Sequence, residues 1–231
     1  MMWMPMPGQT WLVAAASFIG MWVVMMIPMM LPSLVPMLWR YRQVVTRTAD
    51  MRVASTRTGF ARTNGARIGW LTALVSGGYY FVWTAIGVIV FPVGAALMAL
   101  EMQQSQLARA MPTAVGVVVM LMGFLQLTAW KARQLACCRE APGHGRATLP
   151  GDAGTAWRHG LSLGLQCSRC CGGLMVILLV VGVMDLRAMA VVTAAITAER
   201  LAPSGERAAR AIGAAVVVAG LLLMVQAAWG G

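Results

Sequence analysis

Long apolar segments alternate with short basic segments along the whole chain. The longer apolar segments are close to the roughly 20 residues that an α-helix needs to cross the hydrocarbon core of a bilayer. A weaker apolar stretch, 92–110, contains Glu101 and Arg109. The pattern predicts an all-α fold, a polytopic membrane helix bundle with about six transmembrane helices. The predicted spans are 11–39, 68–91, 112–130, 161–184, a short one at 188–198, and 211–229.

Composition supports a protein that lies within the membrane. Of the 231 residues, 59% are hydrophobic and 11% are charged, and the mean hydropathy is +0.73. A soluble domain of this length would have about 25% charged residues. We therefore expect a single integral membrane domain over residues 1–231.

The positive charges are concentrated between particular spans. Lys and Arg number 18 against 7 Asp and Glu, which gives a net charge of +11. Seven basic residues lie in 40–67, six in 131–169 and three in 199–210. Short cytoplasmic loops collect Lys and Arg, so these three loops are predicted to be cytoplasmic and both termini to lie outside.

This distribution also predicts the partners of the basic loops. Lys and Arg next to a span contact anionic lipid headgroups. Since orientation in the membrane already accounts for the net charge, we expect membrane lipid as a partner and no nucleic acid.

The first span is unusually rich in methionine. Met21, Met25 and Met29 are spaced at i, i+4 and i+8 and share one helical face, and Met26 and Met30 form a neighbouring stripe. Thioether sulfur is a ligand for soft metal ions. Methionine is also an ordinary filler of apolar cores, so packing is the alternative explanation of this stripe.

Three prolines interrupt the same span at four-residue spacing. Each of Pro28, Pro32 and Pro36 removes a backbone N–H and crowds the preceding turn. The inner half of the first span is therefore predicted to be kinked or locally unwound.

All five cysteines lie between residues 137 and 171, on the predicted cytoplasmic side, where thiols stay reduced. The C-x-x-C-C motif offers three thiols within one helical turn, and Arg169 inside it is expected to favour thiolates. Met175 follows one turn later. The alternative is that small cysteines simply allow helices to pack. The motif residues are Cys167, Cys170 and Cys171, and the adjacent pair is Cys137 and Cys138.

The methionine and cysteine groups are predicted to meet. The first span enters the cytoplasm with its methionines in the inner half, and the fourth span begins there with its cysteines. Thiolate and thioether ligands together favour copper(I). Zinc is less suited, because His144 and His159 are the two histidines in the chain.

These residues give the chain a resemblance to a known family. The string MWVVMMIPMMLPSLVP at 21–36 and the string HGLSLGLQCSRCCGGLM at 159–175 resemble elements of bacterial predicted metal-binding integral membrane proteins, a domain of unknown function. Further matching residues are Gln126, Lys131, Cys138, Arg139, Glu199 and Arg200.

The resemblance implies a function and a location. A tyrosinase-associated branch of this family implies that the protein delivers copper to a partner enzyme, as a copper chaperone does. The implied location of the protein is the bacterial inner (cytoplasmic) membrane. The metal ligands that it implies are Met25, Met26, Met29, Met30, Cys167, Cys170, Cys171 and Met175.

Three functions remain open from the sequence. The leading hypothesis is a membrane copper(I)-binding protein that delivers or moves copper for a partner cuproenzyme. The second is a membrane thiol–disulfide oxidoreductase that uses the C-x-x-C-C cysteines. The third is a non-catalytic membrane assembly factor. We expect no enzyme activity under the leading hypothesis, because the chain has no serine–histidine or carboxylate pair and no phosphate-binding loop.

Overall fold

The computed structural model describes residues 10–55, 64–140, 152–183 and 185–229, and every regular element in these ranges is an α-helix. The all-helical membrane bundle is confirmed, because five helical segments in the described ranges are long and apolar enough to cross a membrane. The helices are α1 (Trp11–Ser55), α2 (Asn64–Gln103), α3 (Ser105–Leu127), α4 (Ala129–Glu140), α5 (Ala153–Val181), α6 (Leu186–Leu201) and α7 (Gly205–Trp229).

The structure shows which helices contain the weak apolar stretch 92–110 and the short predicted span 188–198. The weak stretch 92–110 is not a separate span, because α2 continues to Gln103 and α3 begins at Ser105. The short fifth span corresponds to α6, which has 16 residues. At 1.5 Å per residue, α6 is about 24 Å long, which is less than the roughly 30 Å thickness of the hydrocarbon core.

The helices extend into the segments that were predicted to be loops. Helix α1 continues to Ser55, α4 occupies the start of the 131–169 segment, and α5 begins at Ala153. Hydropathy detects only the apolar part of a helix, so polar helical ends read as loops. Residues 56–63 and 141–151, which include His144, lie outside the described residues.

Helix α1 is continuous through its three prolines, so of the two predicted alternatives, a kink or local unwinding, the second is wrong. Because Pro28, Pro32 and Pro36 are four residues apart, the missing i→i−4 hydrogen bonds fall on a single side of the helix. The bonds around the rest of each turn are sufficient to keep the helix intact.

Close contact between helices depends on glycine. A Cβ atom added to Gly78 of α2 would lie 2.7 Å from the carbonyl oxygen of Trp157 in α5, and one added to Gly220 of α7 would lie 2.7 Å from the backbone nitrogen of Met120 in α3. Small residues allow backbones to approach in this way inside membranes. The α2–α5 contact fixes the position of the cysteine helix.

Helix α6 begins at a side-chain cap. The Asp185 carboxylate accepts hydrogen bonds from the backbone N–H groups of Arg187, at 2.8 Å, and Ala188, at 3.3 Å. Replacing Asp185 by alanine is expected to cost about 1 kcal/mol of stability, since two N–H groups lose their partner. Thermal unfolding of the purified protein in detergent measures this loss. An Asp185→Asn variant, which keeps the acceptor oxygen, is expected to lose less.

Candidate metal centre

The methionine stripe of α1 faces the protein interior. Met25, Met26, Met29 and Met30 are all buried, and the exposed fraction of Met30 is 0%. In contrast, Ile27 lies between the two methionine pairs and is exposed. Because one helical turn takes 3.6 residues, the methionines and Ile27 lie on different faces of α1. The outward apolar face is left for contact with lipid.

The cysteine motif lies within α5 and also faces inward. Cys167, Cys170, Cys171 and Met175 are buried, with exposed fractions of 5% or less. Residues 167, 171 and 175 follow one another at i, i+4 and i+8, so they line one helical face. None of the three motif thiols is directed at lipid.

Sulfur atoms from α1 and α5 meet at Cys167. Its Sγ atom lies 3.9 Å from the Sδ atom of Met30 and 3.8 Å from the Sγ atom of Cys171. The hydroxyl of Tyr79, on α2, donates a hydrogen bond to the same sulfur over 3.0 Å. Side chains from three helices therefore converge on the buried Cys167 thiol. We call Cys167, Cys171 and Met30 together the sulfur cluster.

These separations suit a metal ion bound by sulfur. With metal–thiolate distances of about 2.3 Å, neighbouring sulfur ligands lie about 4.0 Å apart in a three-coordinate site and about 3.8 Å apart in a tetrahedral one. Thiolate and thioether are the soft ligands that copper(I) prefers. The geometry at Cys167 thus fits the donor chemistry that the sequence predicts.

The remaining predicted ligands are in the same core but are arranged differently. The same buried core contains Met25, Met26, Met29 and Met175. Among the residues that the structure describes, the thioether in contact with a thiol is that of Met30. In those residues no three side chains of His, Cys, Asp or Glu form a metal-binding group by themselves. The ring of His159 stacks on Tyr41, with ring centroids 5.5 Å apart.

Cys170 connects the sulfur cluster to a fourth thiol. Its thiol is close enough to interact with those of Cys171 and of Cys138, on α4. Cys138 is buried and also donates a hydrogen bond to the carbonyl oxygen of Gln166 over 3.3 Å. Hydrogen bonding to Cys170, together with burial, raises the pKa of the Cys138 thiol. Its neighbour Cys137 is exposed.

The cation beside the thiols is different from the one predicted. Arg169, inside the motif, is exposed. The buried guanidinium of Arg200, at the end of α6, interacts electrostatically with all four buried thiols, and its Nη1 atom lies 3.9 Å from the Sδ atom of Met37. Arg169 points outward because it lies between Cys167 and Cys170 on a helix whose cysteine face is turned inward.

A buried ion pair holds the helices around the sulfur cluster. The Lys131 ammonium of α4 lies 2.8 Å from the Glu199 carboxylate of α6 and donates to the carbonyl oxygen of Cys170 over 2.6 Å. The side-chain amide of Gln126, from α3, donates to the same carboxylate over 2.8 Å. One polar network therefore joins α3, α4, α5 and α6.

Several of these residues were not predicted as part of the site. Lys131, Glu199 and Arg200 had a detectable signal, because charged residues beside apolar spans are costly unless they have a function or a partner. Cys138 could have been found from the i, i+4, i+7 spacing that places it on one face of α4 with Lys131 and Leu135. Tyr79 had no such signal.

Fold and site together define a class of protein: a polytopic membrane helix bundle with cysteine and methionine sulfur gathered in its interior. The family model PpoB2, described as copper chaperone, matches residues 19–223, and the chain belongs to this family. The matched range includes all eight predicted ligands and Arg200. No curated protein and no solved structure matches the chain.

Proposed function

We propose that the protein binds copper(I) in the bacterial inner membrane and delivers or moves it for a partner cuproenzyme. Membership of a copper chaperone family supports a copper-related role in general. The observation that supports this binding site is the approach of Met30 and Cys171 to the Cys167 sulfur, at 3.9 Å and 3.8 Å. We propose Cys167, Cys171 and Met30 as the inner ligands, with Cys170 and the remaining predicted methionines as neighbouring donors.

Copper analysis of the protein tests the proposal. The full chain, purified anaerobically in detergent, is expected to bind about one copper(I) ion through its soft ligands. A Cys167→Ser/Cys171→Ser double variant is expected to retain less than about one tenth of that copper, because hydroxyl oxygen is a hard donor. Met30→Leu is expected to weaken binding to an intermediate degree.

The control is Cys137→Ser, which makes the same substitution at an exposed thiol on another helix, α4. It is expected to keep wild-type copper. Full occupancy in the double variant would contradict the proposed site. Reconstitution into vesicles then distinguishes transport of copper across the membrane from delivery on one side. Transport raises the copper content inside the vesicle, and delivery on one side does not.

The same variants address the oxidoreductase hypothesis. Thiol–disulfide exchange requires a thiolate that attacks a disulfide, and a thioether such as that of Met30 takes no part in this reaction. A Met30→Leu variant is therefore expected to lower copper affinity without changing thiol reactivity. A mixed disulfide trapped at Cys167 or Cys170, together with no bound copper, would favour the oxidoreductase instead.

A further inference from the structure

A cavity of about 190 Å³ lies beside the sulfur cluster, between the middle of α1 and the C-terminal ends of α4 and α6. It is partly open at the protein surface, and its lining includes Ser33, Met37, Arg40, Cys138 and Arg200. Met37 follows Met30 by seven residues, which is about two turns or 10 Å along α1. The cavity thus lies on the predicted cytoplasmic side of the cluster.

Some hydrogen-bond donors at the cavity have no acceptor among the residues that the structure describes. Arg200 is 8% exposed, and its Nε and Nη2 atoms have no hydrogen-bond partner in the part of the chain that the structure describes. The hydroxyl of Ser33, which is 3% exposed, likewise has no hydrogen-bond partner among the described residues. Buried polar groups are normally hydrogen-bonded, so two guanidinium N–H groups left without an acceptor beside a cavity indicate an anionic ligand.

The lining of the cavity also contains sulfur. Met37 and Cys138 both contribute to it. The Cys138 thiol interacts with that of Cys170, which also interacts with that of Cys171. The Sγ atom of Cys171 lies 3.8 Å from that of Cys167. Sulfur atoms therefore lead from the cavity to the centre of the cluster.

The cavity combines N–H donors that suit an anion with sulfur atoms that suit copper(I). A bare copper(I) ion is a cation, so the positive charge of Arg200 would repel it. In a reducing cytoplasm, however, copper(I) is held by thiolates. A complex of one copper(I) with two singly charged thiolate sulfurs has a net charge of −1 at its centre. Such a complex matches both the charge and the sulfur of the cavity.

We propose that this cavity admits copper(I) as an anionic complex with two low-molecular-weight thiolates, which Arg200 selects by its charge and its free N–H donors. The inference rests on the proposed copper(I) binding and specifies the form in which copper arrives. Copper forms a bond to Met37 and then to Cys138 as a bond to one carrier thiolate breaks. That thiolate leaves with the Cys138 proton, and copper stays monovalent throughout.

Loading kinetics test this proposal. The purified full chain is mixed anaerobically with copper(I) bound by two glutathione molecules, or with the cationic acetonitrile complex of copper(I), and copper–thiolate absorbance is followed. Arg200→Gln is expected to slow loading from the glutathione complex by about tenfold or more, as loss of electrostatic attraction does. Loading from the cationic acetonitrile complex is expected to become faster, because the charge that repels a cation is removed.

The matched control is Arg133→Gln, which removes the same charge at an exposed position of α4. It is expected to load from both complexes at the wild-type rate. Equal rates for Arg200→Gln and wild type, or equal slowing with both complexes, would overturn the proposal. A wild-type chain that takes copper from neither complex would instead refute the proposed function.

A second variant applies if Arg200→Gln does not fold. Ser33→Leu narrows the same cavity without changing its charge, so loading from both complexes is expected to slow by a similar factor while the final copper content is kept. Unchanged loading in this variant would mean that copper enters elsewhere, and the entry site would be rejected.

Discussion

Replacing Lys131 by methionine is expected to destabilise the protein by about 3–5 kcal/mol, because removing one partner of a buried ion pair leaves the other charge uncompensated. The Glu199 carboxylate is 1% exposed and would retain only the hydrogen bond from Gln126. Methionine preserves most of the lysine's volume, so the loss reports the charge and not a cavity. Thermal or denaturant unfolding of the purified protein in detergent measures it.

The chain provides a matched control for this ion pair. Arg210 and Glu206 form a pair on the surface of α7, with side chains 65% and 56% exposed. Arg210→Met is expected to cost less than about 1 kcal/mol, as exposed pairs generally do. A Lys131→Met/Glu199→Leu double variant should recover part of the loss, because no buried charge remains unpaired. A Lys131→Met loss no larger than that of Arg210→Met would contradict the prediction.

Lys131→Met should also affect the metal centre. The Lys131 ammonium donates to the carbonyl oxygen of Cys170, so it fixes the backbone of the cysteine helix. Copper affinity is therefore expected to fall in this variant by about 10–100-fold, the range typical of partners that orient metal ligands.

Replacing Gly160 by alanine is expected to cost about 1–3 kcal/mol, the range for overpacking a close contact. A Cβ atom at this position would overlap the carbonyl oxygen of Val75 on α2, and a backbone atom cannot rotate away. Helices α2 and α5 would have to separate. Tyr79 lies one turn beyond Val75, so its hydrogen bond to Cys167 would lengthen or break.

The control for this change lies on the same helix. In the described part of the chain, a Cβ atom at Gly172 has no atom within 4 Å apart from those of its own helix backbone and its chain neighbours. Gly172→Ala is therefore expected to be neutral or slightly stabilising, since alanine favours a helix more than glycine does. Thermal unfolding of both variants gives the comparison, and equal midpoints would show that the α2–α5 contact tolerates a methyl group.

The elements of the fold could be predicted because their signal is local. Apolar length predicts each long helix, and the 3.6-residue period places Met25 and Met29, or Cys167 and Cys171, on a common face. Helix ends were placed less well, as at Ser55 and Ala153, because polar residues continue a helix without an apolar signal.

The amino-acid sequence by itself determined a membrane helix bundle, its methionine and cysteine faces, and the soft donors that those faces present. The tertiary structure alone decided that Met30 is the methionine in contact with Cys167, that Tyr79 donates to that thiol, and that Arg200 takes the place expected for Arg169. The reason is physical. Helical periodicity fixes which residues share a face, whereas the rotation and depth of one helix against another depend on contacts between residues far apart in the chain, such as those at Gly160 and Lys131.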